Sequence, residues 1–233
     1  MAERNIGIIG DGATDRQIFG QLVKILLDND TLNIIELKRQ NIRDHIDCYW
    51  KTADKQKNYD TSSSHSLELE KSVTNTLYGA FCDLEKVIGY LSNSDLLILT
   101  SDSERHLNKP EDYFQPWAHN LSKILAGAID NFYRLVVSRG YDYDSIPVVV
   151  SVVTFPSTEI WIAAAQGKAN QCYNKKAREL KLSLYGTDDL RFLSDDDLKK
   201  KALDFLTFYG IKQIFKDIPE SRTFIKILSL SKF

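Results

Sequence analysis

Hydrophobic and polar positions along the first two thirds of the chain form blocks that predict strands and helices in turn. Short apolar runs, several of them rich in β-branched residues, predict four buried strands. They lie at about 5–10, 32–37, 95–100 and 148–153. Between them apolar residues recur at helical spacing, most clearly over about 67–91 and 117–138. The alternation predicts an α/β fold, a Rossmann-like, mostly parallel sheet of about four strands flanked by helices.

The segment from about 38 to 66 departs from this pattern. It is polar, rich in lysine, aspartate and asparagine, and includes the serine run at 62–64. A segment of this length without a clear hydrophobic period predicts a functional or mobile loop. A disordered surface insertion is the alternative interpretation.

The last third of the chain is helical and charged. Ser194 and Asp197 have the spacing of a helix cap and precede an apolar stripe. The stripe predicted to be buried consists of Leu198, Ala202, Phe205, Leu206 and Tyr209. We therefore expect an α/β domain over 1–166, with the polar insertion at about 38–66, and a helical C-terminal lobe or appendage over 167–233.

Composition and charge exclude several classes of protein. With 233 residues, 43% hydrophobic and 27% charged, the chain is long enough for a substantial core. The formal net charge is −2, so no global basic field indicates nucleic acid or an anionic membrane, and any nucleic-acid contact would be local. No apolar run approaches the roughly 18 residues that span a bilayer. Three widely spaced cysteines fit a reducing compartment, and we expect a cytoplasmic protein without a membrane segment.

Acidic residues follow three of the predicted strands. Asp11 follows the first, Asp102 and Glu104 the third, and Glu159 the fourth. The carboxyl ends of parallel strands meet at one edge of an α/β sheet, where ligands bind. Converging carboxylates of this kind bind divalent cations, so we predict a site for Mg²⁺ or Mn²⁺. The alternative is that the aspartates form turns and that Glu159 is an ordinary first-turn helix acid.

The same segments resemble a known family. Residues Gly10–Asp15, followed by an apolar helix, are similar to the strand, Glu-Gly-x-Thr-Glu and helix that open TOPRIM-like domains of the DUF4276 and OLD-type nuclease group. Ile98–Glu104 resembles their strand that ends in Asp-x-Asp. Pro156–Ala163 resembles the Phe-Glu-x-Trp segment of DUF4276 proteins. The resemblance covers about residues 4–166.

The resemblance implies magnesium-dependent phosphodiester chemistry, as in topoisomerases, primases and anti-phage nucleases. It implies that Asp11, Asp102 and Glu104 hold the metal and that Glu159 completes the shell or orients water. His106 or a lysine would then assist the leaving group. Asp11 is one methylene shorter than the usual glutamate, and Glu104 is longer than the usual second aspartate.

Two functional hypotheses follow. The leading one is a TOPRIM-like, magnesium-dependent nuclease or phosphotransfer enzyme that acts on nucleic acid, either DNA or RNA, in defence against phage. The alternative is a catalytically silent TOPRIM-like sensor or partner subunit of a larger complex. Either hypothesis is compatible with a partner protein and with an oligomer.

Three further patterns have weaker meaning. Gly10-x-Gly12-x-x-Asp15, with Glu36 near the end of the second strand, is close to a dinucleotide fingerprint but lacks its third glycine. Trp161 is predicted to pack in the core rather than to stack on a base. The lysines between 168 and 181 indicate either a solvated helix face or a stripe that contacts phosphates.

Overall fold

The computed structural model describes residues 4–10, 12–27, 32–37, 41–103, 105 and 107–230. Four strands of this part of the chain form one parallel sheet, as the sequence predicts. Their order in the sheet is β2-β1-β3-β4. The strands are β1 (Arg4–Ile9), β2 (Leu32–Leu37), β3 (Leu96–Asp102) and β4 (Val148–Thr154). The α/β class and the helical C-terminal region are therefore confirmed.

Helices connect the strands and make up the C-terminal region. Within the described residues the helices up to β4 are α1 (Ala13–Leu27), α2 (Asn41–Gln56), α3 (Ser64–Ile88) and α4 (Pro116–Ser138). After β4 they are α5 (Glu159–Ala165), α6 (Ala177–Tyr185), α7 (Asp195–Lys201), α8 (Phe208–Asp217) and α9 (Ser221–Leu230). None of these described helices is both long and apolar enough to cross a membrane.

The chain divides into two compact units. The first comprises the described parts of 1–11, 31–101 and 114–152, and the second those of 12–30, 102–113 and 153–233. The domain boundary predicted near residue 166 stays a prediction.

A close approach between sheet and helix organises the first unit. Strand β1 pairs with β2 and with β3, so that Ile6 lies opposite Ile34 on one side and Leu96 on the other. A Cβ atom at Gly7 would lie 3.0–3.1 Å from methyl groups of Leu37, Leu84 and Leu97. Because Leu84 belongs to α3, this glycine lets the longest helix pack directly on the central strand.

The second unit has an aromatic core. The ring centroid of Trp161 lies 5.2 Å from that of Phe19 and 5.9 Å from that of Phe224. These three fully buried side chains join α5 to α1 and α9, and every residue of α5 is buried. The core position predicted for Trp161 is confirmed.

The loop predicted over 38–66 is wrong for most of its length, because α2 occupies Asn41–Gln56. This helix packs on α3. Its buried positions are Ile42, Ile46, Tyr49, Trp50 and Ala53. They recur at helical spacing within a polar segment, so the polar composition concealed a narrow apolar stripe.

The predicted stripe after Ser194 is confirmed at Leu198, Ala202 and Leu206, which are buried, and wrong at Phe205 and Tyr209. Ser194 caps α7 as expected, with its hydroxyl accepting from the Asp197 N–H at 3.1 Å. The helix ends at Lys201, and a 3-10 turn over Leu203–Phe205 precedes α8. Because the helical period is interrupted there, Phe205 is 41% and Tyr209 69% exposed.

Replacement of Gly7 by valine should destabilise the first unit. The valine methyl groups must displace the leucine side chains that already lie at contact distance, so we expect a loss of about 1–3 kcal/mol. The free energy of unfolding in urea measures this change, with Gly7→Ala as the intermediate case. A valine variant as stable as the wild type would contradict the close approach of α3 and β1.

Candidate active site

Asp102 ends strand β3 and is held by a set of hydrogen bonds within the second unit. Its side chain is buried, and Oδ1 accepts from the Thr154 hydroxyl at 2.7 Å. The same oxygen accepts from the Thr158 backbone N–H at 2.9 Å and from its hydroxyl at 3.1 Å. Thr158 is the residue before α5, but its side chain makes no helix-capping hydrogen bond. Its hydroxyl instead orients Asp102.

Glu159 begins α5 next to this arrangement. It is 1% exposed, and Oε1 lies 4.0 Å from Nζ of Lys181, which belongs to α6. The second carboxylate oxygen, Oε2, has no hydrogen-bond partner among the described residues. A buried polar atom of this kind requires an explanation, and a bound ion or water molecule is one that the chemistry of a carboxylate allows.

Burial disfavours negative charge on both carboxyl groups. It raises the pKa of Asp102, with the hydrogen bond from Thr154 and the charge of Lys181 acting in the opposite direction. Burial also raises the pKa of Glu159 to about 7, and the charge of Asp102 adds to this effect. The pair therefore tends to hold a proton near neutral pH when no further cation is present.

Helix α6 contributes two side chains to the same space. Lys181 and Tyr185 are four residues apart and so lie on one helix face. Tyr185 is 2% exposed, and its hydroxyl has no hydrogen-bond partner among the described residues. Burial raises the pKa of Tyr185, and the charges of Glu159, Asp15 and Asp102 raise it further. The tyrosine hydroxyl, the lysine and three acidic side chains therefore lie close enough to interact.

Asp15 lies in the first turn of α1. Its Oδ2 accepts from the Gly12 backbone N–H at 2.9 Å. This is one of the donors that a dinucleotide pyrophosphate would require at the start of the helix. A carboxylate on that donor opposes the binding of an anion, so the dinucleotide interpretation loses its main support.

The structure brings together two of the five predicted site residues. Asp102 and Glu159 are neighbours, whereas Asp11, Glu104 and His106 lie outside the described residues.

No sequence pattern indicated a site role for Tyr185, Thr154 or Thr158. Lys181 was one of the lysines between 168 and 181 that indicate either a solvated helix face or a stripe that contacts phosphates. The available signal was the spacing of Lys181 and Tyr185 on α6, and that spacing alone does not indicate what the helix packs against.

The described carboxylates fit a metal ion in part. The partnerless Oε2 of Glu159 and the raised pKa values suit a cation that would replace the shared proton. The residues that the structure describes include no group of three or more histidine, cysteine, aspartate or glutamate side chains able to hold a metal. The pair would thus supply part of a coordination shell.

Fold and site together define an α/β protein with a parallel four-stranded sheet and a buried carboxylate pair, in which Asp102 ends β3 and Glu159 begins the helix after β4. Comparison of the chain with protein-family models, curated proteins and solved structures finds no match.

A second buried glutamate provides a control for the electrostatics. Glu220, in the turn between α8 and α9, is 5% exposed, and its Oε2 also has no partner among the described residues. Burial raises the pKa of Glu220 to about 7, whereas hydrogen bonds from its own backbone, from Trp161 and from the Phe155 backbone, and the charge of Arg222, act in the opposite direction. It resembles Glu159 in burial and in pKa but does not share the neighbours Asp102 and Lys181.

The pH dependence of stability should report Glu159. Between about pH 4.5 and 7 Glu159 is protonated more in the folded state than in the unfolded state, so its contribution to the free energy of unfolding falls as pH rises through this window. Glu159→Gln should remove a share of this loss on the order of 1–3 kcal/mol. Urea unfolding at several pH values measures it.

Glu220→Gln should remove a separate share, and the double variant should show the flattest profile. A Glu159→Gln profile as steep as that of the wild type would contradict the raised pKa of this residue.

Proposed function

We propose that this protein is a metal-dependent, TOPRIM-like nuclease or phosphotransfer enzyme that acts on nucleic acid. The observation that carries the proposal is the buried pair Asp102 and Glu159, in which one glutamate oxygen has no partner among the described residues. The resemblance of the strand-end segments to anti-phage nucleases supports this substrate class and a role in phage defence.

A divalent cation such as Mg²⁺ or Mn²⁺ would resolve the electrostatic conflict in the pair. Two buried carboxylates close together are unstable unless a proton or a cation compensates their charge. Asp102 and Glu159 would hold the ion, and the resemblance adds Asp11 and Glu104 as further ligands. When bound, the ion supplies charge stabilisation for the phosphoryl group and lowers the pKa of a water molecule.

The protein's own side chains have distinct roles in this proposal. Thr154 and Thr158 fix the orientation of Asp102 through three hydrogen bonds, so that its carboxylate is positioned before substrate arrives. Lys181 lies 4.0 Å from Glu159 and can compensate the negative charge of a phosphate group. The Tyr185 hydroxyl can donate a hydrogen bond to a phosphate oxygen, and His106 or a lysine is proposed to assist the leaving group.

A specific observation favours the second candidate, a silent TOPRIM-like sensor or partner subunit. Asp102 Oδ1 already accepts three hydrogen bonds, and Lys181 lies beside Glu159. These donors and the lysine compensate much of the buried charge without a metal ion. In addition, the described residues include no group of three or more side chains able to hold a metal. In such a module the carboxylates would serve structure alone.

A cleavage assay separates the two candidates. The purified chain is incubated with end-labelled tRNA, single-stranded DNA and duplex DNA, with Mn²⁺ or with chelator. We expect metal-dependent cleavage of at least one substrate by the wild type and a loss of at least about 100-fold in Asp102→Asn, because loss of a ligand from the metal shell removes its charge stabilisation.

The matched control is Asp196→Asn, which removes an exposed carboxylate of α7 and should cleave like the wild type. Thermal unfolding verifies that each variant is folded. Cleavage that survives in folded Asp102→Asn would contradict the site, and a wild type that cleaves no substrate would favour the silent module.

A further inference from the structure

A groove in the second unit begins at the C-terminal end of α5, whereas Glu159 of the carboxylate pair lies at the N-terminal end of this helix. It has a volume of about 460 Å³ and is formed by the end of α5, the 3-10 turn over 203–205 and the first turns of α8. Side chains with polar or aromatic groups dominate its lining. Those used below are Gln166, Asp204, Phe205, Tyr209 and Gln213. We call it the α5–α8 groove.

Gly210 determines how this groove is built. A Cβ atom at this position would lie 2.1 Å from the Phe205 carbonyl oxygen and 3.3 Å from Ala165 Cβ. Only glycine therefore allows α8 to begin directly against both the 3-10 turn and α5. The Gly210 N–H donates to the Thr207 hydroxyl at 3.1 Å, which fixes the start of the helix. This packing keeps Phe205 and Tyr209 at the groove.

The groove combines aromatic rings with hydrogen-bonding groups. Phe205 is 41% and Tyr209 69% exposed, so a large part of each ring is accessible to a ligand in the groove. The amide of Gln213 also lines the groove, and the carboxylate of Asp204 is exposed. Rings of this kind stack on planar heterocycles, while an amide and a carboxylate bind their polar edges.

Two lysines near the groove, Lys168 and Lys212, can provide positive charge for the phosphate groups of a nucleotide ligand. Lys168 Nζ donates to Gln166 Oε1 at 3.0 Å, which places this cation beside a residue of the groove. Lys212 Nζ lies 4.7 Å from the ring centroid of Phe208, whose side chain is 67% exposed. Exposed aromatic rings interspersed with lysines characterise surfaces that bind the bases and phosphates of single strands.

We propose that the α5–α8 groove binds an unpaired base of single-stranded nucleic acid, with Tyr209 and Phe205 as the stacking surface and Lys168 and Lys212 near the phosphates. The proposal rests on the proposed function, since it assumes a nucleic-acid substrate, and it adds that this substrate is single-stranded at the groove. Bases in a duplex have their faces covered by neighbouring pairs, so a duplex cannot use these rings.

Fluorescence anisotropy with a labelled single-stranded oligonucleotide of about 12 nucleotides tests the proposal. The measurement is made with chelator present, so that binding does not depend on a metal ion or on cleavage. We expect Tyr209→Ala and Phe205→Ala each to weaken binding about tenfold. Tyr209→Phe, which keeps the ring, should bind within about twofold of the wild type.

Phe192→Ala is the matched control, because Phe192 is 81% exposed on another segment of the same unit and should not affect binding. Thermal unfolding verifies that each variant is folded. Equal binding by wild type, Tyr209→Ala and Phe205→Ala would overturn the proposal. So would equal affinity for single-stranded and duplex DNA, binding of free nucleoside monophosphates as tight as that of the oligonucleotide, or no binding by the wild type.

The two proposals fail in different ways. Binding that depends on Tyr209, in a protein that cleaves nothing with Mn²⁺, would keep the groove and reject the nuclease. Metal-dependent cleavage with binding that is indifferent to Tyr209 and Phe205 would keep the nuclease and reject the groove.

Discussion

The burial of two neighbouring carboxyl groups, those of Asp102 and Glu159, is the main electrostatic constraint on the second unit of this protein. Asp102 and Glu159 are 5% and 1% exposed, burial disfavours ionisation of both, and the charge of Asp102 further disfavours ionisation of Glu159. Such a pair persists only where its surroundings compensate the charge. Here the compensation comes from the donors of Thr154 and Thr158 and from Lys181. The remaining conflict, expressed in the raised pKa values and in one partnerless oxygen, is the basis of the proposed cation site.

The fold supplies this arrangement through strand ends and helix starts. β3 ends at Asp102 and β4 at Thr154, and the turn after β4 leads into α5 with Thr158 and Glu159. Three aromatic rings from α1, α5 and α9 hold α5 in the core of the second unit. Because α5 is buried along its whole length, its first residue cannot turn toward water. Burial of Glu159 is thus a consequence of core packing.

Local patterns predicted most of the secondary structure. A run of β-branched residues such as 148–153, for example, strongly favours a buried strand. The pattern did not predict α2, because the polar composition of this segment concealed its helical period. It also did not predict the exposure of Tyr209, because a 3-10 turn interrupts the helical period before this residue. The acids at strand ends were recognisable because parallel strands share one edge. Lys181 and Tyr185 were not, because the residues that α6 contacts depend on long-range packing. Asp11, Glu104 and His106 stay predictions.

Direct titration with Mn²⁺ tests the central claim, that the buried carboxylate pair is a cation site. Isothermal calorimetry or electron paramagnetic resonance at neutral pH would measure ion binding without any substrate. The account predicts a Mn²⁺ site in the wild type that is lost in Glu159→Gln and retained in Glu220→Gln, the glutamate with similar burial and pKa. A wild type that binds no ion, or a Glu159→Gln variant that binds as the wild type does, would contradict it.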